Sequence, residues 1–297
     1  MKVKEDTLDI FYGTAFQHVS AFKVQLLKWI GNKQRFAHEI ASFFPTDIRT
    51  YREPFLGSGA VLGALQPPKA VGADVFTPLI EIWQTLQRDP VLVTEWYRDR
   101  YKEYHKLSRP EGYEQIKARY NARPNGADLL FICRSCYGGV VRFRKKDGYI
   151  STPCGIHDPI SPASFAERVQ IWKRRTSGAS FENLDFEAAM GMAMEGDLVY
   201  CDPPYVCSQA ILYQGQDFSL PRLMRSIMAC KTRGVRVALS IDGTKKSGRV
   251  DCMLDIPEGL FEREVFVNCG RSMLRRFQRE GETLEDEIVH DRLLLTY

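Results

Sequence analysis

Apolar residues in the first 85 positions fall into short blocks that are separated by glycine and proline. Residues 50–55 and 70–75 look like short buried strands. Each is followed by a stretch with helical spacing, and Pro67 and Pro68 end the first of these helices. Upstream, residues 20–44 form a lead-in and a predicted helix. This alternation of strand and helix predicts an α/β fold.

The middle of the chain has a different pattern. From about residue 89 to residue 121 the sequence is helical in its spacing, charged and aromatic. Residues 137–153 alternate apolar and basic positions around Asp147 and Gly148, a dipeptide that favours a hairpin turn. Strands are then predicted for GDLVYCD and VRVALSID, with the helical stretch LPRLMRSIMACKTRG between them. The pattern predicts an α/β sheet interrupted by an inserted, mostly helical segment that carries a β-hairpin.

Composition sets the outer bounds of the interpretation. The 297 residues are 44% hydrophobic and 26% charged, which is typical of a globular protein with one large domain or two smaller ones. No apolar run reaches the roughly 18 residues that a membrane span needs. The first residues lack the apolar segment and cleavage site of a secretory signal, so we expect a cytoplasmic protein.

The net charge is weak evidence for a polyanionic partner, because its formal value is only +4. The distribution is more informative, since basic residues crowd two short segments. Such clusters indicate either a phosphate-contacting surface or a solvated charged face. The first cluster is Arg142, Arg144, Lys145 and Lys146, and the second is Arg271, Arg275, Arg276 and Arg279.

The eight cysteines are expected to be reduced thiols. Cys133 and Cys136 form a CxxC pair, and Cys154 and His157 follow with a similar gap, so a zinc site is an alternative. Against that alternative, Cys133 lies in an apolar run, where a buried thiol is common. We therefore predict no bound metal.

The sequence Asp202-Pro203-Pro204-Tyr205 ends an apolar run that is predicted to be a buried strand. In open α/β sheets, ligands bind beyond the carboxyl ends of the strands. The prolines stiffen the chain and leave carbonyl acceptors, which together with the Asp202 carboxylate suit an amino group with two hydrogens to donate. Tyr205 offers a ring on which a planar base can stack. The simpler alternative is a strand-to-turn junction that the aspartate caps.

A second motif, EPFLGSG at residues 53–59, places two glycines after a strand and before a helix. This arrangement brings the backbone close to a nucleotide-like ligand. Asp74 lies 15 residues after Gly59, at the end of the next predicted strand, where a carboxylate commonly holds ribose hydroxyls. The alternative for Asp74 is a helix N-cap. No third glycine completes GxGxxG, so an adenosyl ligand without phosphate is favoured over a dinucleotide.

Four stretches, KWIGNK, EPFLGSGAV, GADV and GDLVYCDPPY, resemble in this order the Dam-like family of DNA N6-adenine methyltransferases. The resemblance covers most of the chain. It includes CYGGVVRFRKKDGYISTPCG, which is similar to the family's recognition hairpin, and the final LLLTY, which is similar to its closing strand. It implies a Rossmann-like class I methyltransferase sheet with an inserted target-recognition domain. The implied bounds are 1–85 and 177–297 for the catalytic S-adenosylmethionine-binding domain and 86–176 for the recognition domain, with its hairpin at 137–153.

The resemblance also implies roles for single residues. Asp202 and the Pro203 carbonyl match the acceptors for the amino group of a flipped adenine, and Tyr205 matches the residue that stacks on this base. We take these three as the catalytic positions. The positions that match cofactor contacts are Trp29, Lys33, Phe55, Gly57, Gly59, Asp74 and Asp202.

Recognition of DNA is assigned to the predicted hairpin. Arg142 matches an arginine that reads a guanine, although Asn32 and Gly138 depart from the family's usual glycine and asparagine, and the hairpin turn is longer by one residue. We therefore do not carry over the family's GATC specificity. The predicted DNA contacts are Arg142, Arg144, Lys145 and Lys146.

The implied function is site-specific transfer of a methyl group from S-adenosylmethionine to the N6 of adenine in double-stranded DNA. A cognate restriction endonuclease would be a functional partner in a restriction system, and the protein is expected to be a monomer or weak dimer. Two alternatives remain open. One is amino methylation of cytosine N4 or of adenine in RNA, because the DPPY motif suits any planar amino group. The other is a DNA-binding module without catalysis.

Overall fold

A mixed sheet forms the centre of the computed structural model, which describes residues 18–144, 146–204, 218–242, 256–271 and 288–297. Within these ranges it has seven strands: β1 (Tyr51–Glu53), β2 (Ala70–Ala73), β3 (Ala179–Glu182), β4 (Leu198–Cys201), β5 (Arg236–Asp242), β6 (Arg263–Arg271) and β7 (Ile288–Leu295). Their order is β3-β2-β1-β4-β5-β7-β6. β7 is antiparallel to both of its neighbours, and the other pairs are parallel.

The prediction of an α/β fold is confirmed by this seven-stranded mixed sheet and the helices around it. The apolar runs predicted four of the strands, namely β1, β2, β4 and β5, and the family resemblance predicted β7, whereas β6 was not predicted. The apolar runs did not give β3, because this edge strand has four residues and buries only the side chain of Phe181. Such a strand leaves no alternation to be read.

Helices flank the sheet and fill the chain between β2 and β3. Those in the alternating part are α1 (Ala37–Ser42), α2 (Ala60–Leu65), α3 (Thr77–Arg88), α8 (Phe186–Gly191) and α9 (Leu220–Thr232). Four more helices lie between α3 and β3 and are called the inserted helices below: α4 (Pro90–Lys106), α5 (Arg109–Ala122), α6 (Gly126–Ser135) and α7 (Pro162–Arg175).

Polar caps and prolines determine where the inserted helices begin. Asp89 accepts a hydrogen bond from the Leu92 amide at 3.0 Å, and Pro90 occupies the first helical position of α4. α7 begins in the same way, with the Ser161 hydroxyl as its cap and Pro162 after it. These sequences favour a helix start because the cap satisfies a free amide and proline has none to satisfy.

The inserted helices share one hydrophobic core with the sheet. Trp83 of α3 is fully buried and lies 5.3 Å, between ring centroids, from both Trp172 of α7 and Phe181 of β3. Trp172 also packs against α2 at Gly63, where an added Cβ would come within 2.6 Å of its ring. The contact between α2 and α7 therefore requires glycine at this position.

We expect Gly63→Ala to lower the free energy of unfolding by about 1–3 kcal/mol, because the new methyl group overpacks a rigid indole ring. Gly191→Ala in α8 is the matched control, since a Cβ there meets nothing within 4 Å. The control should change stability little or raise it by up to about 1 kcal/mol through helix propensity. Urea denaturation of both variants measures the difference, and equal midpoints would contradict the packing argument.

The inserted helices also hold the segment that precedes the KWIGNK motif. Arg134 of α6 donates to the carbonyl of Leu26 at 2.9 Å, and Arg168 of α7 donates to that of Gln25 at 3.1 Å. The Trp172 indole N–H donates to the carbonyl of Val24 at 3.0 Å. This stretch of backbone has no strand partner of its own in the sheet as described, so side chains from the insertion fix its path.

A hairpin follows α6, with Phe143 and Ile150 in an antiparallel bridge. The Arg144 amide donates to the Tyr149 carbonyl at 2.9 Å, and Gly148 in the turn has a φ of 67°. Glycine adopts this left-handed conformation without strain. A helix both long and apolar enough to cross a membrane is not found among the described residues.

Candidate functional site

A cavity of about 260 Å³ lies at the carboxyl ends of β1, β2, β3 and β4. The loops after these strands supply most of its wall, as expected for a ligand site in an open α/β sheet. Phe143 of the hairpin and Arg222 of α9 complete it. The predicted cofactor residues that line the cavity are Trp29, Lys33, Phe55, Gly57, Asp74 and Asp202.

The turn between β1 and α2 needs glycine at two positions. Gly57 and Gly59 have φ values of 48° and 59°, in the left-handed region that favours glycine. A Cβ on Gly57 would lie 3.1 Å from Cδ1 of Trp29, so the backbone approaches this indole closely. Gly59 is the N-cap residue of α2 and is not among the residues of the cavity wall that the structure describes. Its contribution is to the shape of the loop.

Asp74 follows β2 directly and connects that strand to the glycine turn. Its carboxylate accepts hydrogen bonds from the Gly57 amide at 3.2 Å and from the Phe76 amide at 3.0 Å. Burial raises the pKa of Asp74 to about 6, against the opposing effect of these hydrogen bonds. The N-cap of α3 is Phe76, so the alternative that Asp74 is this helix's N-cap is wrong.

Asp202 lies at the end of β4 and forms an ion pair with Lys33. The Lys33 Nζ is 3.1 Å from Asp202 Oδ1, and Lys33 is only 5% exposed. Pro203 is buried, whereas Pro204 lines the cavity. Tyr205, the predicted stacking residue, lies outside the described residues. The ion pair joins the KWIGNK motif to the DPPY motif in the same wall.

Glu53 is a buried acid in the cavity wall that the sequence did not single out as a site residue. Its Oε2 accepts hydrogen bonds from the Tyr51 hydroxyl at 3.0 Å and from the Leu62 amide at 3.1 Å. Burial raises the pKa of Glu53 to about 8; the Tyr51 hydroxyl opposes the shift and the nearby Asp202 charge adds to it. At neutral pH this side chain is therefore mostly a neutral acid.

This pKa has a consequence for stability. The pKa of Glu53 in the folded protein lies above the ordinary value of 4.5. The contribution of neutral Glu53 to the free energy of unfolding is therefore complete below about pH 4.5 and is lost as the pH rises through about 8. Glu53→Gln stays neutral at every pH. We therefore expect its Tm, relative to that of the wild type, to rise by at least about 2–4 °C when the pH is raised from about 5.5 to about 8.5. Thermal unfolding of both proteins at the two pH values measures this gain. Asp74 titrates equally in both and cancels, so a constant Tm difference would contradict the assignment.

An aromatic cluster with an acid beside it forms the end of the cavity nearest β3. The Phe186 ring stacks at 5.2 Å on Phe55 and lies 6.1 Å from Phe218, and Asp185 lines the cavity next to it. The sequence analysis identified Phe55 but not Phe218, Asp185 or Phe186. The last two follow β3, which was not predicted. An Asp-Phe pair between two apolar runs was the available signal.

The hairpin presents opposite faces to the cavity and to solvent. Phe143 is buried, lines the cavity and packs edge-to-face on Phe76 at 5.5 Å. Arg142 and Lys146 are exposed. Arg144 is exposed too, and its guanidinium contacts Asp147 at 2.8 Å within the turn. Of the remaining predicted DNA contacts and the second basic cluster, Lys145, Arg275, Arg276 and Arg279 lie outside the described residues, and of Arg271 only the backbone is described.

The cysteines of the zinc alternative are not gathered into one site. Cys133 is buried in α6, while Cys136 and Cys154 are opposite each other at the base of the hairpin. No group of three or more His, Cys, Asp or Glu side chains within the described ranges is arranged to hold a metal ion.

Comparison with known proteins adds a family model that matches residues 29–247, described as D12 class N6 adenine-specific DNA methyltransferase. The retron Ec67 DNA adenine methylase of Escherichia coli is 29% identical over 61% of this chain and 63% of its own length. The DNA N-6-adenine-methyltransferase of Escherichia phage P1 is 27% identical over 75% of this chain and 30% of its own length. The chain thus spans less than two thirds of both relatives.

A third relative matches over nearly its whole length. The type II methyltransferase M.MjaIII of Methanocaldococcus jannaschii is 26% identical over 91% of this chain and 98% of its own length. Among solved structures, the rRNA methyltransferase aviRa from Streptomyces viridochromogenes aligns over 99% of this chain and 94% of its own, with a TM-score of 0.38 and 12% identity. The family match includes every described residue that lines the cavity.

Proposed function

Because the chain belongs to the D12 class N6 adenine-specific DNA methyltransferase family, we propose that it transfers a methyl group from S-adenosylmethionine to the N6 of an adenine in double-stranded DNA. One observation supports this most directly. The Lys33–Asp202 ion pair brings the loop after β4 into the same wall as the glycine turn and Asp74. A site for an amino group is thereby next to a site for an adenosyl group.

The chemistry of the wall fits S-adenosylmethionine better than a phosphate-bearing nucleotide. Its ionisable side chains are four acids and two basic groups, Glu53, Asp74, Asp185, Asp202, Lys33 and Arg222. Because Glu53 is mostly neutral at neutral pH, the wall carries an excess of one negative charge. An acid-rich wall repels phosphate and attracts hydroxyl, ammonium and sulfonium groups. When bound, this cofactor supplies an electrophilic methyl group on a sulfonium.

Each part of the cavity suits one part of the cofactor. Asp74, held beside the glycine turn, is placed to accept hydrogen bonds from ribose hydroxyls. Phe186 offers a buried ring for the adenine, and Asp185 an acceptor for its amino group. The methionine end then belongs near Trp29 and Lys33, on the side of Asp202. Phe55, Gly57 and Gly59 shape the wall between these ends.

The residues after β4 act on the target base. A base inside the duplex cannot present its amino nitrogen, so it must first leave the stack. Asp202 and the Pro203 carbonyl accept hydrogen bonds from the two amino hydrogens and hold the nitrogen lone pair towards the methyl group. Tyr205 stacks on the ring of the base. Catalysis is then mainly alignment, which supplies up to about 7–11 kcal/mol.

The segment 86–176 recognises the target, and 1–85 with 177–297 carries out the transfer. Support comes from the hairpin, whose Phe143 faces the cavity while Arg142 and Lys146 face outwards. A two-stranded ribbon fits the major groove, where arginine reads guanine and lysine contacts phosphate. Arg144 and Lys145 are further contacts of this ribbon with DNA.

The test is methyl transfer from labelled S-adenosylmethionine to duplex DNA, single-stranded DNA and RNA, followed by nucleoside analysis. We expect label in N6-methyladenine from duplex DNA. Label in N4-methylcytosine, or in RNA alone, would replace the proposed substrate. Cofactor binding by calorimetry without methyl transfer to any of them would favour a non-catalytic module.

A further inference from the structure

Arg222 lies in the first turn of α9 and reaches to the loop after β3. Its Nη2 donates to Asp185 Oδ1 at 3.1 Å and to Glu187 Oε2 at 2.6 Å. Its guanidinium carbon is 5.0 Å from the centre of the Phe186 ring. Asp185 Oδ1 also accepts the backbone amide of Glu187 at 2.9 Å, which fixes the carboxylate from a second side. Arg222, Asp185 and Phe186 all line the cavity.

These contacts do little for folding. The side chains of Asp185 and Glu187 are 42% and 40% exposed, and exposed ion pairs contribute only about 0–1 kcal/mol. Their geometric effect is larger, because one guanidinium from α9 restrains both an acceptor and a ring at the end of the cavity. Restraint of this kind serves a ligand that must find both groups already in place.

We propose that Arg222 is a positioning residue that makes this end of the cavity selective for a 6-amino purine. The inference rests on the proposed function, which assigns the adenine of the cofactor to Asp185 and Phe186. A carboxylate accepts a hydrogen bond from the 6-amino group of adenine and repels the 6-oxo group of hypoxanthine. Arg222 keeps the Asp185 carboxylate in the orientation that makes this distinction.

The experiment compares two ligands, S-adenosylhomocysteine and S-inosylhomocysteine, by calorimetry on the full chain without DNA. We expect the wild type to prefer the adenosyl ligand at least about tenfold. Arg222→Met keeps most of the aliphatic stem. It should reduce this preference to less than about threefold, mainly by lowering the affinity for the adenosyl ligand. Glu187→Gln is the matched control, since it removes the shorter ion pair but no residue of the wall, and it should keep the preference.

Two results would overturn the role of Arg222: an unchanged preference in Arg222→Met, with or without equally weaker binding of both ligands, or no preference in the wild type. Failure of the proposed function looks different, because the folded wild type would then transfer no methyl group to duplex DNA, whatever its preference between the two ligands. Arg222→Lys keeps the charge but has a single donor nitrogen. Its preference for the adenosyl ligand should therefore lie between that of the wild type and that of Arg222→Met.

A separate observation concerns Cys136 and Cys154, which are opposite each other in an antiparallel bridge at the base of the hairpin. The backbone hydrogen bonds on the two sides of this bridge, at 2.9 and 2.8 Å, join the neighbouring residues and not the cysteines themselves. The cysteines therefore form a non-hydrogen-bonded pair, whose Cα atoms are about 4.5 Å apart. This separation is within the roughly 4.4–6.8 Å that a disulfide spans.

From this register we infer a reversible disulfide between Cys136 and Cys154, with a small disulfide such as oxidised glutathione as oxidant. Cys154 is the more exposed thiol and reacts first. Its thiolate attacks the oxidant, forms a mixed disulfide and releases one glutathione thiolate. The Cys136 thiol, whose pKa is raised by burial to about 12, gives up its proton as it attacks the Cys154 sulfur, and the second glutathione thiolate leaves. Two protein thiols lose two hydrogens, and two glutathione thiols gain them.

Mass spectrometry of the whole chain after treatment with oxidised glutathione tests this inference. The wild type should lose two hydrogens and give one cross-linked peptide pair that contains Cys136 and Cys154. Cys136→Ser should stop at the mixed disulfide, with one glutathione attached to Cys154. Cys133→Ser should behave as the wild type does. A cross-link between other cysteines, or no cross-link in the wild type, would overturn the inference.

Discussion

Replacing Asp202 with alanine is expected to reduce methylation of DNA by about 10²–10³-fold or more, the range that follows loss of one preorganised group at a developing charge. The amino nitrogen of the target becomes positively charged during the transfer, and in the proposed site the Asp202 carboxylate accepts one of its hydrogens. Alanine removes both the charge and the acceptor. Single-turnover methylation of duplex DNA measures the loss.

The design must separate catalysis from folding, because Asp202 is also the partner of the buried Lys33. Removing one member of a buried pair costs about 3–5 kcal/mol, so a second variant is needed. Asp202→Asn keeps the shape, but it removes the negative charge and replaces one of the two acceptor oxygens with an NH2 group that can only donate. The control is Asp47→Asn, which removes an exposed carboxylate paired with Arg236. Full activity in a folded Asp202→Asn variant would contradict the proposed role.

Arg142→Ala is expected to weaken discrimination at one base pair of the recognition site by about 1–3 kcal/mol, or about 5–150-fold. The backbone amide of Arg142 is fixed by the Thr152 hydroxyl at 2.7 Å, and its side chain is exposed on the outer face of the hairpin. A fixed backbone with an outward guanidinium is suited to bidentate contact with guanine. Sequencing of methylated adenines identifies the site, and duplexes with single base changes measure the discrimination.

Lys146→Ala is the matched control, since this exposed side chain lies in the turn of the same hairpin. Because Lys146 is expected to contact phosphate, Lys146→Ala should weaken binding to all DNA sequences alike and lower the salt dependence of binding by about one charge. If Arg142→Ala gives this uniform loss as well, Arg142 contacts the phosphate backbone and does not read a base.

Local patterns of apolar residues and chain breaks were sufficient to predict most strands of the sheet. The strands that the sequence located, such as β4 and β5, are apolar runs between clear breaks, and their ends determine where the loops must lie. The glycine turn and Asp74 could be placed for the same reason. Their proximity to Asp202 was expected from the general position of ligands at strand ends.

What the sequence did not predict depends on tertiary contacts. The Asp185-Phe186 pair is too short a signal to mark a site, because these two residues become site residues only through the register of β3 beside β2. In the sequence, Glu53 is only the first residue of the EPFLGSG motif. Its raised pKa arises from burial that only the folded chain creates. Likewise, nothing in the sequence shows that a residue of the hairpin, Phe143, faces the cavity.

The bonds from Arg134, Arg168 and Trp172 to residues 24–26 limit how this fold can acquire a new target sequence. A chimera whose helical insertion lacks these three side chains would lose these bonds and the close fit of Trp172 on Gly63, and with them the placement of Trp29 and Lys33. In the proposed role of the hairpin, specificity should therefore diverge by point substitutions on its outer side, and an insertion without these three side chains should yield proteins that bind their cofactor poorly.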